Sequence, residues 1–427
     1  MENHSAGTAD QKPPNEYTPR ACLAILGSFV GAFCTVGFIN SFGVFQEYYL
    51  RHQLSDESES TVAWLGGISI FFVFFSSVVS GPLLDVFGPR VMLLVGSFGT
   101  VFSIMMTSIC HTFYQFLLAQ GVLLGVSMSL LVVPMLGLVG QYIKVRRAVA
   151  MGIVISGSSL GGVLWPIIIN ELLNNRTVGF GWTMRIVGFI MIPLLAISCL
   201  FCRPPLPAGH NGAPSPDSGE SPVSLETKKR SGPDFSILKR APLQLACLAF
   251  FIIYFGMFSP FFFTTSYAVS KGFSSNLSFY TISIINGASL FGRILPGFVA
   301  DRYGRYNCCI VFTFLSGIIA LCWTRATSVA GLVIFSAAYG FTSGAILSLQ
   351  QVCAVQVATP ETIGLAIGCV MASTSLSALA GVPISGQLAE QYGYLSLSIY
   401  SGVSLLVGSI LLSLARLSQN RAIIAVV

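Results

Sequence analysis

The chain has 427 residues, of which 54% are hydrophobic and 9% charged. A soluble globular domain carries roughly 25% charged residues, so this composition cannot cover a water-facing surface, and a soluble fold is excluded. The net charge of +6, from 22 Lys+Arg and 16 Asp+Glu, implies no nucleic-acid partner. In so apolar a chain the placement of the basic residues matters more than their sum.

Residues 1–20 are polar, with Lys12, Pro13 and Pro14, and read as a tail. The first apolar run, 21–46, is too long for the core of a signal peptide and reads as a membrane helix. Further apolar stretches follow at 62–84, 91–110, 113–139, 148–172 and 184–201, and then at 243–266, 278–299, 308–324, 329–355, 362–386 and 394–415. Each is about long enough to cross ~30 Å of hydrocarbon as a helix. The runs are continuous and lack period-two alternation, which excludes a β-barrel. The expected fold is an all-α membrane protein of twelve transmembrane helices in two pseudo-symmetric six-helix halves, 21–201 and 242–416. Residues 202–241, "CRPPLPAGHNGAPSPDSGESPVSLETKKRSGPDFSILKRA", are rich in Pro, Gly and Ser and read as a disordered cytoplasmic linker. Within it, Phe235–Leu238 beside Lys239 and Arg240 read first as a plain tether and second as a segment lying on the inner leaflet. Residues 417–427 form a second short tail.

Twelve spans put both termini on one side. With that side taken as cytoplasmic, 16 basic residues lie inside and 4 outside, the asymmetry that sets membrane orientation. A multi-pass protein of the plasma membrane with both termini in the cytoplasm is expected. The sequons at Asn175 and Asn276 then face outward as glycosylation sites, and the one at Asn3 faces inward and stays bare. The 11 cysteines are odd in number and sit mostly in apolar runs, as small hydrophobes instead of a disulfide framework. Cys199 and Cys202 form a CxxC with no second pair or His cluster, so no metal site is expected.

Two stretches echo each other. "GPLLDVFGPR" (Gly81–Arg90) and "GFVADRYGRY" (Gly297–Tyr306) place Asp85 and Asp301 216 residues apart. Gly152 and Gly368 are also 216 apart, Pro166 and Pro383 217, and Gly125 and Gly340 215. Parallel six-helix repeats of this kind characterise one transporter architecture. On these motifs the chain resembles the major facilitator superfamily. "NSFGVFQEYY" (Asn40–Tyr49) and "QYIKVRRAVAMGIVISGSSLGG" (Gln141–Gly162) are similar to its fungal monocarboxylate-porter-like branch. The resemblance covers about 20–201 and 242–416 and implies alternating-access transport.

The loop motif has its own physical logic. Asp85 and Asp301 each end a helix, where the macrodipole disfavours a carboxylate by ~0.3–1 kcal/mol. Each needs a partner, and Arg90 and Arg305 are within loop reach. The resemblance implies that each Asp also meets the start of a neighbouring helix across the two halves, as a cytoplasmic latch. The first copy has Val86 where the second has Arg302, so the first latch is expected to be the weaker.

Arg293 is a charge inside a span. It sits eight residues before Asp301, ~12 Å from the helix end, where an arginine costs ~2.5–3.5 kcal/mol. Its counterpart in the first half is Ser77, so the fold does not demand a charge there. A guanidinium without a nearby acid suits an anionic substrate group, and the resemblance implies that this position binds substrate. The family's acidic partner one turn earlier is Ser289 here, and the first-helix lysine of animal porters falls at Asn40. Proton symport of the lactate type is therefore disfavoured, and protons stay only a candidate coupling ion. The seventh span carries an aromatic stripe, Phe251, Tyr254, Phe255, Phe258, Phe261 and Phe262, readable as packing or as pocket. Tyr254 and Phe258, with Asn40, Asn286, Gln350 and Gln351 as polar points, would suit a bulky ligand. Pro134, Pro166, Pro260, Pro296 and Pro383 are candidate helix breaks.

The four histidines lie outside the spans, and no Walker loop, GxSxG or HExxH is present. Neither catalysis nor a cofactor is expected, and transport must run downhill or on an ion gradient. The expected function is a secondary active or facilitative transporter of an organic anion or amphipathic metabolite, with export of a secondary metabolite as one direction and carboxylate uptake as the other. The alternative from another class is a transporter-derived sensor without flux.

Overall fold

The computed structural model describes residues 16–175, 177–204 and 235–420. The tails at 1–15 and 421–427 and most of the linker lie outside the described residues. Ten described helices are long and apolar enough to span a membrane. One of these, Ile363–Leu417, reverses at Gly393 (φ 77°) and makes two spans, and Arg305–Leu321 is a shorter twelfth. In chain order they are α1 (Pro19–Arg51), α2 (Thr61–Phe87), α3 (Pro89–Thr107), α4 (Phe113–Tyr142), α5 (Arg147–Asn174) and α6 (Gly179–Phe201) in the first half. The second half has α7 (Ala241–Ser270), α8 (Ser275–Tyr303), α9 (Arg305–Leu321), α10 (Val329–Val357), α11 (363–392) and α12 (394–417). The twelve expected spans and their order are as the sequence reading placed them.

Polar residues at the apolar boundaries start the helices. Thr18 accepts from the Ala21 N–H with Pro19 in the first turn, Thr112 and Gln115 form a capping box at α4, and Ser328 accepts from the Gly331 N–H at α10. Each cap satisfies one of the donors that a helix start leaves unpaired. The helix breaks follow a different rule from the one the prolines suggested. Pro134, Pro166, Pro296 and Pro383 all lie within continuous helices. Only Pro260 coincides with a break, at Phe258 in α7. α1 breaks without a proline at Thr35 (φ −95°, ψ −93°), whose hydroxyl bonds back to the Gly31 carbonyl at 2.8 Å. α1 packs on α5 on both sides of this break, Phe29 against Gly157 and Gly37 against Gly161.

The repeat is visible in atomic contacts. A Cβ built on Gly152 of α5 would stand 2.1 Å from the Arg293 carbonyl oxygen of α8, and one on Gly368 of α11 would stand 2.3 Å from the Ser77 oxygen of α2. Both members of the second pair are displaced 216 residues from the first, in opposite directions. Only glycine permits backbones this close. The same relation holds for Gly297 against Ala148 and Gly81 against Gly364. These four contacts close the two halves on each other toward the face of the bundle where α1 begins and α12 ends, called here the terminal face. The last piece of the linker also sits there. Phe235–Lys239 is a 3₁₀ turn with Ile237 buried and Phe235 and Leu238 exposed. Arg240 ties it to α10 by donating to the Val357 carbonyl at 3.1 Å.

Candidate substrate site and interhalf latch

A cavity lies between the halves. It is lined by Ala32 and Val36 of α1, Phe74 of α2, Val132, Met135 and Leu136 of α4, and Val154, Ile155 and Ser158 of α5. From the second half it takes Tyr254 of α7, Arg293 of α8, Leu347 and Gln351 of α10, and Met371 of α11. Its volume is ≈ 80 Å³, room for roughly half a dozen waters at ~10–15 Å³ each. That volume fits the head group of a ligand, and a bulky molecule requires the halves to part.

Arg293 is 3% exposed. Its Nη1 donates to the Ile155 carbonyl at 2.7 Å and to the Ser158 hydroxyl, both on the opposite half. Its Nε has no partner. The structure places the other predicted site residues around it unevenly. Tyr254 lines the cavity and donates to Gln350 Oε1 at 2.7 Å, so Gln350 is a buried support behind the wall instead of part of it. Gln351 is in the wall itself, 6% exposed, with Oε1 unpartnered. Phe258 meets the Tyr254 ring edge-on at 5.4 Å and stands outside the lining. Asn40 and Asn286 converge farther from the terminal face. A Cβ on Gly162 would stand 3.0 Å from Asn40 Nδ2 and 3.4 Å from Asn286 Oδ1. Asn40 Nδ2 also donates to the Ser158 carbonyl at 3.5 Å.

Sequence reasoning did not single out Ser158, Phe74 or Met371. Ser158 had a usable signal, a hydroxyl amid "ISGSSLGG" in a membrane helix. Phe74 and Met371 had none, because an apolar side chain in an apolar span looks the same whether it faces lipid or cavity.

The terminal face holds the latch. Asp301 accepts from the N–H groups of Ala148 and Val149 at the start of α5, at 2.9 and 3.1 Å. Asp85 accepts from Gly364 and Leu365 at the start of α11, at 2.9 and 2.8 Å. Each carboxylate leaves the negative end of its own helix and lies on the positive end of a helix from the other half. Arg305 reinforces the second latch: its Nε is 3.5 Å from Asp301 Oδ1 and its Nη2 donates to the carbonyls of Lys144 and Val145, at 2.7 and 3.2 Å. Glu16 holds the same two residues from the other side, accepting from their N–H groups at 2.9–3.2 Å.

Two predicted members do not join. Arg90 is exposed and makes no ion pair among the described residues, and Arg302 lies over the Tyr303 ring at 5.5 Å. Arg302, the residue expected to set the two latches apart, makes no ion pair among the described residues; Arg305 lies by Asp301 instead, and its counterpart in the first half is Pro89.

On the opposite face Asn175 is exposed at the end of α5, and its Oδ1 accepts from the backbone and hydroxyl of Thr177. Asn276 lies in the first turn of α8. Among the described residues no group of three His, Cys, Asp or Glu could hold a metal ion.

The family model for the Major Facilitator Superfamily matches residues 28–329 and 287–423. The chain belongs to the Major Facilitator Superfamily. The agnestins efflux protein AgnL12 of Paecilomyces divaricatus is 46% identical over 414 residues, 97% of this chain and 91% of that one. The aspyridones efflux protein apdF of Emericella nidulans is 38% identical over 410 residues, 96% of this chain and 80% of that one. Among solved structures, the superfamily transporter FucP in its outward conformation superposes with a TM-score of 0.71 at 11% identity, covering 94% of this chain and 99% of that one. At that identity the likeness concerns the fold alone. Superfamily membership places the bundle in a membrane as a multi-pass transporter, and the two closely glycine-packed halves are its two repeats.

Proposed function

We propose that this transporter exports an anionic, largely apolar secondary metabolite by alternating access, with Arg293 gripping the anion and the terminal face in the cytoplasm. The observation that carries the reading is Arg293 itself, a 3% exposed guanidinium in a cavity whose other lining residues are uncharged, with Nε unspent. A buried cation costs several kcal/mol, and an anion that arrives through the cavity offsets that cost. The names of the relatives, efflux proteins for agnestins and aspyridones, support export over carboxylate uptake. The stretches Asn40–Tyr49 and Gln141–Gly162 support a place in the fungal monocarboxylate-porter-like branch. The basic residues on the terminal side support a cytoplasmic assignment, and the sequons on the other face fit an outward surface.

The test is flux. Purified full-length protein in liposomes, oriented by protease access to the linker, is given radiolabelled mandelate from the terminal side. Uptake above that of protein-free vesicles, lost in Arg293→Ala, is expected. Unchanged flux in Arg293→Ala sinks the anion grip. Saturable binding without any flux favours the sensor.

A further inference from the structure

Four polar side chains line the cavity: Ser158, Tyr254, Arg293 and Gln351. Two are already committed. The Ser158 hydroxyl accepts from Arg293 and donates to the Ile155 carbonyl at 3.0 Å, and the Tyr254 hydroxyl is bonded to Gln350. The other two are incomplete in complementary ways. Arg293 Nε is a donor without an acceptor, and Gln351 Oε1 is an acceptor without a donor. Both side chains are more than nine-tenths buried, at 3% and 6% exposure. The remaining buried unpartnered side-chain atoms among the described residues, such as Ser289 Oγ and Trp323 Nε1, belong to no lining residue. The neighbouring amide sharpens the contrast. Gln350 has its carbonyl filled by Tyr254, whereas the carbonyl of Gln351, one residue on in the cavity wall, has no donor. A buried polar atom left unmatched is costly and is normally paired by protein, water or ligand. A glutamine kept unpaired in the wall therefore discriminates strongly against a ligand that cannot donate to it.

We propose that Gln351 is a specificity-determining residue that selects substrates carrying a hydroxyl or N–H donor close to the anionic group. The donor pairs with Gln351 Oε1 while an anionic oxygen pairs with Arg293. The substrate class is thus a hydroxy acid, or an acidic enol or phenol with an adjacent donor, on an apolar body that meets Phe74, Met135 and Met371. This rests on the anion grip of Arg293, and the experiment separates the two.

Equilibrium binding of four probes to the purified full chain reads the proposal: mandelate, its O-methyl ether, phenylacetate and mandelamide. Mandelate is expected to bind about tenfold tighter than phenylacetate or the ether, the size of one buried hydrogen bond. Gln351→Met should remove that difference by weakening mandelate relative to phenylacetate, and retained phenylacetate binding reports a folded site. If Gln351→Met does not yield a monodisperse protein, Gln351→Asn withdraws the carbonyl by one methylene and should give the same loss. Equal binding of mandelate and phenylacetate to the wild type overturns the proposal, as does a preference that survives in both variants. Mandelamide binding as tightly as mandelate overturns the anion grip instead, and leaves the Gln351 preference to be judged on the mandelate-to-ether ratio. Failure of all four probes to bind the wild type overturns both.

Discussion

Arg293 of α8 donates to the Ile155 carbonyl of α5 at 2.7 Å. The side chain in the cavity is thus also a bond between the two halves. An anion that takes the guanidinium competes with Ile155 and Ser158 for its N–H groups. Under the proposed anion grip, loading the site would loosen the contact between α5 and α8, the kind of coupling that alternating access requires.

The first prediction follows from this double role. Arg293→Lys keeps the charge but loses the planar fork, so one ammonium cannot hold α5 and an anion in the same geometry. Transport should fall by about 10- to 100-fold, equivalent to ~1.5–3 kcal/mol for hydrogen bonds to a charged group. Arg293→Ala should fall further and still insert and fold, since a costly buried cation is removed. Replacing the carboxylate of a transported acid with an amide should give a loss that does not add to that of the mutation. Additive losses in initial-rate measurements would show that carboxylate and Arg293 do not meet.

The latch offers a second prediction. Asp301 accepts two N–H groups at the start of α5, and an asparagine supplies one acceptor and a misdirected NH₂. Asp301→Asn should shift the population toward the state open at the terminal face by about tenfold or more, from the ~1–3 kcal/mol of a buried acceptor lost. Glu16→Gln should act in the same direction and more weakly. Glu16 is half-buried and holds the Lys144–Val145 segment against Arg305, one step removed from the interhalf bonds. Labelling of a cysteine placed at position 136, in the cavity wall, by a reagent added from the terminal side measures the shift. Unchanged labelling in Asp301→Asn would mean that the carboxylate anchors topology only.

Third, Gly152→Ala should force the halves apart. Its methyl would meet the Arg293 carbonyl oxygen at 2.1 Å, and backbone inside two packed helices cannot yield as a side chain does. Overpacking of this kind costs ~1–3 kcal/mol, here charged to the state closed at the terminal face. Labelling at position 136 should therefore rise by about tenfold or more. Gly287→Ala on α8, where a Cβ meets nothing within 4 Å, is the matched control and should leave it unchanged. Similar labelling in both variants would contradict the tight-packing account.

The sequence by itself determined the membrane class, the twelve spans, their order and the two-fold repeat. Hydrophobicity over some twenty residues is a local property, and a lipid interior allows few structures other than helices to answer it. It also marked Asp85, Asp301 and Arg293, because a charge is conspicuous where charges are expensive. The tertiary structure decided what those charges touch. Asp301 reaches Ala148 and Val149, far away in the chain, and takes Arg305 while Arg302 turns to Tyr303. No local pattern records which of two arginines three residues apart faces a carboxylate. The same holds for Gln350 and Gln351, identical in type and neighbours in sequence. A helix rotates each successive residue by about 100°, and that turn gives one amide to Tyr254 and the other to the cavity.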